Sequence, residues 1–429
     1  MCINKQRVAT PQNIQWRIIM ASRTYYASQA LGIYAGGFLP SGDTWGNGTA
    51  SVDKGFGAYT KRILSGVQSV GFSSSVEFEQ IFELGHLQIF ENIEGSPTCE
   101  MTIERVLPLD GFSLFEMFHN PSVTSYNDYS VNLGDFASDR GMTARLTVQS
   151  DGDVMTNTAI DSTAASNFLY GFQINGFTSN YSISAQTDGA VTESLGVAGV
   201  DLIVLPSGTS SKSAMVRPGT STPRGVFRRQ DLSVNKQKLV NNELSGNVTK
   251  YGRVQSASIS VDVGREDLLE MGRKGPYIRY ASFPVEVTMD VEYNVDTGKD
   301  TVNGGNFQDG KGTEEGHAYQ TMVAVNSDSN CATSSESVIS INGSRRVAGA
   351  ATNVTCSDNG EDEEGGVLFC MFAAISGAKM QSQSWSGGDT GGGVVTISES
   401  YTSFNALRVH SALSTSMTPD QDRPATQTN

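Results

Sequence analysis

The stretch from Val254 to Glu292, VQSASISVDVGREDLLEMGRKGPYIRYASFPVEVTMDVE, repeats an earlier part of the same chain. The earlier copy runs from Val67 to Arg105, VQSVGFSSSVEFEQIFELGHLQIFENIEGSPTCEMTIER, and aligns without gaps at an offset of 187 positions. Nine of the 39 aligned positions are identical, where average residue usage gives about two or three. The chain therefore carries an internal duplication, which decides its architecture.

Both copies begin with alternating apolar and polar residues, which predicts a strand. In the later copy, acidic residues and then apolar residues follow the strand and end at a glycine, which predicts a short helix from Glu266 to Met271 closed by Gly272. The same signals predict a helix from Glu79 to Leu84 in the earlier copy, closed by Gly85.

Past these segments the apolar positions of the two copies differ by one residue. A slip of one residue reverses the faces of a strand, so the offset must become 188. This offset pairs Met101 with Met289 and Glu104 with Glu292. A further related pair of segments, Ile174-Asn175-Gly176 and Ile375-Ser376-Gly377, lies late in each half at an offset of 201.

The 429 residues suit two cores, and the Gly, Ser, Thr and Val content favours strands and turns over helices. The predicted fold class is mostly β, with two tandem β-sandwich or partial-barrel domains that each carry a short flanking α-helix. The predicted segments are an N-terminal appendage (1–19), a first β domain (20–206), a basic linker or arm (207–245), a second β domain (246–413) and a C-terminal tail (414–429). No apolar run is long enough for a transmembrane helix, so no membrane partner is expected.

The strand, helix and strand signals from Ser258 to Thr288, including the run from Gly264 to Tyr277, resemble those of bacteriophage tail-tube (major tail) proteins. The late segments that follow a glycine turn are consistent with the same family. The resemblance implies a virion structural protein whose domains form six-fold rings stacked into a tube, a channel through which DNA passes without specific binding, and other tail proteins as partners. It also implies assembly in the host cytoplasm.

Because the subunit is duplicated, three chains of two domains each suit one pseudo-six-fold ring, and six chains in two layers are the alternative. The same fold also suits a tail-completion or baseplate ring that does not elongate. A β-sandwich adhesin or fibre protein is a different class of interpretation.

A net charge of −15 argues against wrapping of nucleic acid. The segment 207–242 is nevertheless basic, and its arginines suit either a phosphate clamp or an arm that pairs with acidic surface on a neighbouring subunit. We favour the arm. The residues expected to act in assembly are Glu79, Glu83, Gly85, Arg224, Arg228, Arg229, Arg265, Glu266, Asp267, Glu270, Gly272 and Arg273.

Catalytic, metal-binding and cofactor motifs are absent from the sequence, so we expect no enzyme activity, no metal and no cofactor. The four histidines are scattered, and the acidic cluster from Asp358 to Glu364 fits a solvated loop better than a calcium site. The five cysteines form no CxxC pair, and a disulfide between Cys331 and Cys356 is left open.

Overall fold

The computed structural model describes residues 29–34, 61–85, 89–109, 113–117, 131–132, 141–149, 168–205, 225–240, 243–251, 253–272, 275–276, 278–294, 337–347, 367–386 and 395–413. These residues are mostly strand, as the sequence predicts, and they form a large antiparallel sheet without a closed barrel. Within these described residues, the first half contributes one short helix, α1 (Leu114–Met117), and eight strands. These strands are β1 (Gln29–Tyr34), β2 (Lys61–Ile63), β3 (Val67–Phe82), β4 (Ile89–Val106), β5 (Val131–Asn132), β6 (Met142–Gln149), β7 (Phe168–Gln186) and β8 (Thr192–Leu205).

The second half contributes ten described strands. They are β9 (Leu232–Val240), β10 (Glu243–Lys250), β11 (Val254–Asp262), β12 (Arg265–Leu268), β13 (Ile278–Ala281), β14 (Glu286–Asn294), β15 (Ser337–Val347), β16 (Val367–Ser386), β17 (Thr396–Phe404) and β18 (Leu407–Leu413).

The two halves have the same strand order. In the first half the neighbours run β3, β4, β8, β7, β6, β1, β2. In the second half they run β11, β14, β17, β16, β15, β9, β10, and β18 continues the course of β17 along β16. The long strand β8 of one half thus corresponds to the pair β17 and β18 of the other, which is interrupted at Asn405, where φ is +56°.

The hydrogen-bonded pairs of the two halves correspond to each other residue by residue. Met101 lies opposite Phe72 in the first half, and Met289 lies opposite Ile259 in the second. These pairs fit an offset of 187 for β3 and β11 and of 188 for β4 and β14, which confirms the one-residue slip. The extra residue of the second half lies between β11 and β14, in the segment that contains β12 and β13. Both halves also share a β-bulge at equivalent positions, after Val67 in β3 and after Val254 in β11.

Alternation along the strands places the core on one face of the sheet. In β14, Val287, Met289, Val291 and Tyr293 are buried, whereas the residues between them are not. The neighbouring β11 buries Ala257, Ile259 and Val261 against them. The core cluster runs through both halves without interruption, because β11 of the second half lies beside β7 of the first.

The prediction of two flanking helices is wrong. Glu79 to Phe82 extend β3 and pair with β4, and Arg265 to Leu268 form β12, which pairs with β13. Gly85 and Gly272 both have a φ of +91°, so each glycine serves a hairpin turn and not a helix end. A helix end and a hairpin turn both need a residue with left-handed backbone angles at this point, so the glycine fits either. An isolated helix of about six residues is only marginally stable, so pairing with a facing strand is favoured.

The predicted linker is also shorter than the sequence analysis places it. Residues 232–240 are strand β9, and β10 begins at Glu243, so the last part of the segment 207–245 is sheet in the second half. The amide donors and acceptors of this basic stretch are used in pairing with β15, which the charge pattern did not indicate. The segments 1–19, 207–224 and 414–429, the acidic cluster and the cysteines 331 and 356 lie outside the described residues.

Candidate assembly surface

Two antiparallel strand pairs join the halves in the part of the chain that the structure describes. One is the short pair of β5 with β18, and the other, which is much longer, joins the halves edge to edge. Seven residue pairs link β11 to the second part of β7, from Ser256 opposite Gln186 to Asp262 opposite Asn180. Backbone bonds continue the ladder at both ends, from Val263 N to Ser179 O at 2.8 Å and from Thr187 N to Gln255 O at 3.1 Å. We call this pair of strands the internal joint.

Apolar side chains on the core side of the internal joint are fully covered. Ile183 and Ile259 lie directly opposite each other, and both are 0% exposed. Tyr181, Val261 and Val263 extend this covered row to the end of the joint. Directly opposed apolar pairs of this kind are the main side-chain contribution to the pairing of strands.

Arg265 crosses the internal joint. Its Nε donates to the carbonyl oxygen of Thr178 at 2.7 Å, and its guanidinium lies 5.2 Å from the centre of the Phe177 ring. Both partners belong to the first half, so this residue, which the sequence analysis expected to act in assembly, joins the two halves of one chain. A cation over an aromatic face adds to the hydrogen bond at such a partly covered position.

The neighbours of Arg265 are held within their own hairpin. Asp267 pairs with Arg279 at 2.8 Å, and Glu266 accepts from the hydroxyls of Tyr280 and Ser282. These two hydrogen bonds lower the pKa of the Glu266 carboxyl. The two acidic residues therefore stabilise the β12–β13 hairpin.

The strands equivalent to those of the internal joint have free edges at the two ends of the described chain. Strand β3, the counterpart of β11, pairs only with β4 among the described residues. The last part of β16, the counterpart of the joint segment of β7, pairs only with β17 within the same ranges. Each of the two free edges therefore corresponds to one strand of the internal joint, β3 to β11 and the last part of β16 to β7.

Side chains at these free edges are uncovered. Val76, the counterpart of the fully buried Val263, is 36% exposed. Trp385 of β16 faces Ile397 from the inner side of the sheet, yet it is 47% exposed. An open sheet edge flanked by apolar side chains is a template for pairing with another strand.

A buried ion pair lies behind the free edge of the first half. Arg105 Nε donates to Glu193 Oε2 at 2.9 Å, and both side chains are fully buried. Tyr181 OH donates to the other carboxylate oxygen at 2.7 Å, and the amide of Leu114 at the start of α1 donates at 3.1 Å. The carboxylate therefore ties β4, β7, β8 and α1 together, and one of its partners, Tyr181, lies in the internal joint.

A different polar cluster lies behind the free edge of the second half. The Glu399 carboxylate accepts from Tyr251 at 2.8 Å, Tyr293 at 2.9 Å and Gln383 at 2.8 Å, and from Tyr401. Burial raises the pKa of Tyr251, Tyr293 and Tyr401, and the negative carboxylate raises it further. Lys236 donates to Tyr401 at 2.7 Å, and burial lowers the pKa of its amine.

Neither polar cluster was predicted from the sequence. The signal was present, because Glu193 and Glu399 occupy inward positions of strands that bury mostly uncharged side chains, and a buried carboxylate needs partners. Gln383 lies at the free edge of the second half, in the last part of β16 and two residues before Trp385. Its hydrogen bond to Glu399 therefore holds its side chain in place beside Trp385.

Both hairpins that leave the sheet beside the joint strands carry exposed apolar side chains. The long β3–β4 hairpin exposes Phe78, Phe82, Leu84, Ile89 and Phe90, and the short β12–β13 hairpin and its turn expose Leu268, Leu269 and Met271. Apolar patches of this kind mark contact surfaces in soluble proteins.

The other predicted assembly residues are spread over these hairpins and one turn. Glu79, Glu83 and Gly85 lie exposed along the first hairpin, and Glu270 and Gly272 lie at the turn of the second. Arg228 and Arg229 are exposed at a 3-10 turn, Arg229–Asp231, that precedes β9. Arg224 and Arg273 lie outside the described residues.

Within the described ranges, no group of three or more His, Cys, Asp or Glu side chains has the arrangement of a metal site. None of the helices in the same ranges is long and apolar enough to cross a membrane.

No protein-family model matches the chain, and no curated protein matches it. Among solved structures it is similar to a chain of the anti-feeding prophage baseplate, with 14% identity and a TM-score of 0.27 over 44% of this chain and 97% of the other. It is also similar to the SPP1 tail tube, with 14% identity and a TM-score of 0.24 over 44% of this chain and 81% of the other.

Proposed function

We propose that this protein is a structural subunit of a phage tail, which assembles edge to edge into rings that stack around a DNA-conducting channel. The observation that carries the proposal is the internal joint, whose two strands have counterparts with free edges at the two ends of the chain. A second copy of the chain supplies the missing strand at each end. The resemblance of the repeated sequence to tail-tube proteins agrees with this arrangement.

The two free edges differ from each other, so contact between copies is head to tail. A head-to-tail contact either closes into a ring or continues as an open filament. Closure is favoured here because it leaves no free edge at the joint strands. Each chain supplies two similar units, so three chains give a ring of six units and pseudo-six-fold symmetry.

The proposed channel function relies on charge and not on a binding site. A chain with a net charge of −15 repels the DNA backbone. Repulsion of this kind lets a duplex move past the wall without adhering. The basic segment 207–242, which includes Arg228 and Arg229, is left for contacts with acidic surface on another subunit.

Electron microscopy of the purified full-length protein tests the proposal. We expect rings with six lobes at high protein concentration, and stacked rings when a tail-assembly initiator is added. Particles that remain monomeric under both conditions contradict it. Rings that never stack support a closed baseplate or tail-completion ring in place of a tube.

A further inference from the structure

We infer that copies of this chain join through one defined register, in which β3 of one chain pairs antiparallel with the last part of β16 of the next, as β11 pairs with β7 in the internal joint. This inference rests on the proposed function, because it specifies the contact that builds the ring. The partner is a second copy of this chain.

The register of the first strand is fixed by the repeat. Strand β3 corresponds to β11 at an offset of 187, and both strands bulge at equivalent positions, after Val67 and after Val254. Position for position, Phe72 therefore takes the place of Ile259, and Ser73 takes that of Ser260. A bulge fixes the alignment because a shift of one residue reverses the faces of the strand.

The register of the second strand is fixed in the same way. Strand β7 has an irregularity between Thr178 and Asn180 where it pairs with β8, and β16 has one between Met380 and Ser382 where it pairs with β17. These positions correspond at an offset of 202, one more than the offset of 201 at Gly176 and Gly377, so the second half has one more residue between that turn and this irregularity. The offset of 202 places Trp385 at the position of Ile183.

Combining the two offsets gives the pairs across the contact. Ile259 opposite Ile183 becomes Phe72 opposite Trp385, and Ser260 opposite Ser182 becomes Ser73 opposite Ser384. Ser75 likewise lies opposite Ser382.

The side chains suit this register. Phe72 packs against the core, 5.7 Å from the ring of Phe172, and Trp385 lies on the same inner face, so both aromatic rings meet where the internal joint places two isoleucines. The serines meet on the other face, as Ser260 and Ser182 do in the internal joint. Val76 becomes covered in the way that Val263 is covered. Two exposed apolar surfaces are thus removed from water by one contact.

Cysteine cross-linking tests the register in the full-length protein. The double variant Ser73→Cys/Ser384→Cys places two thiols directly opposite each other between chains. The matched double variant Ser75→Cys/Ser386→Cys introduces the same residues on the same strands with the register displaced by four residues, which separates the Cα atoms by roughly 13 Å. A disulfide needs Cα atoms within about 7 Å, so only the first variant is expected to cross-link.

We expect disulfide-linked dimers and trimers on a non-reducing gel, about tenfold more abundant for the first variant than for the second. The single variants Ser73→Cys and Ser384→Cys control for the native cysteines, and mapping of the linked peptides identifies the bond. Rings in the microscope without a disulfide between the thiols introduced at positions 73 and 384, or with a bond in the displaced variant, overturn the register and leave the proposed function standing. The absence of both rings and cross-links contradicts the proposed function itself.

Discussion

Val76 and Val263 occupy the same position of the repeat, yet one is 36% exposed and the other is fully buried. Val76 lies in β3 and Val263 directly follows β11, and these two strands have equivalent neighbours on one side, β4 in the first half and β14 in the second. They differ on the other side, where β11 has β7 and β3 has no described partner. The exposure of the first half is therefore a consequence of a missing neighbour and not of a different core.

Substitution of each valine by glutamate tests whether the two positions differ only in their neighbour. We expect Val263→Glu to lower the free energy of unfolding by about 4–5 kcal/mol, because it buries a carboxylate without a partner. Val76→Glu should cost the monomer less than about 1 kcal/mol, because water still reaches the side chain. Urea unfolding of the dilute protein measures both.

The same pair separates folding from assembly. Sedimentation velocity of Val76→Glu should show a folded monomer that no longer forms rings. Equal losses of stability for the two variants would mean that the edge of β3 is already covered within the monomer.

The two buried carboxylates give a second contrast between the halves. We expect Glu193→Gln to cost about 3 kcal/mol, because the guanidinium of Arg105 is left buried without its charged partner. Glu399→Gln should cost less, about 2 kcal/mol, because the tyrosine partners are neutral and their hydroxyls can also accept from the new amide group. Chemical denaturation is the measurement, and a larger loss for the second variant would contradict this ranking.

The tyrosine cluster predicts a pH dependence that belongs to the second half. Burial and Glu399 raise the pKa of Tyr251, Tyr293 and Tyr401 above the ordinary value of 10.0. Above pH 10 the unfolded chain releases protons that the folded chain retains, so stability falls as the pH rises. Tyr401→Phe should cost about 1 kcal/mol at neutral pH and make this fall shallower. An unchanged slope in thermal melts between pH 9 and 11 would show that the hydroxyl does not titrate with unfolding.

The hairpins provide the smallest expected effect on the monomer. The paired changes Phe82→Ser/Leu84→Ser and Leu269→Ser/Met271→Ser remove exposed apolar groups, so each should alter the free energy of unfolding by less than about 0.5 kcal/mol. If the hairpins form contacts between stacked rings, both pairs of changes should shorten the tubes. We expect the first pair to have the larger effect, because the β3–β4 hairpin is longer and more apolar. Tube lengths in micrographs that stay the same for both pairs would exclude the hairpins from stacking.

The repeat made much of the fold predictable from the sequence. Alternation and the identities around Val67 and Val254 located the paired strands, and the slip between Met101 and Met289 indicated an extra residue in the second copy, which lies between β11 and β14. These inferences succeeded because successive side chains of a strand point to opposite faces of the sheet, so the sequence alone shows which residues share a face.

The helices and the linker failed for a different physical reason. Acidic residues followed by a glycine mark a left-handed turn, and such a turn ends a hairpin at Gly85 as well as it ends a helix. Only the presence of a facing strand distinguishes the two structures, and that strand lies beyond the local pattern. The clusters around Glu193 and Glu399 were missed because their partners come from strands distant in sequence.

Hydrogen exchange of the amides in β3 and β11, followed in the monomer and in the assembled protein, tests most directly whether copies join as the halves do. We expect the outward amides of residues 69–75 to exchange rapidly in the monomer and to become protected on assembly, whereas residues 256–262 are protected in both states. Assembled rings in which residues 69–75 still exchange as in the monomer would contradict the claim that β3 receives its missing neighbour from another chain.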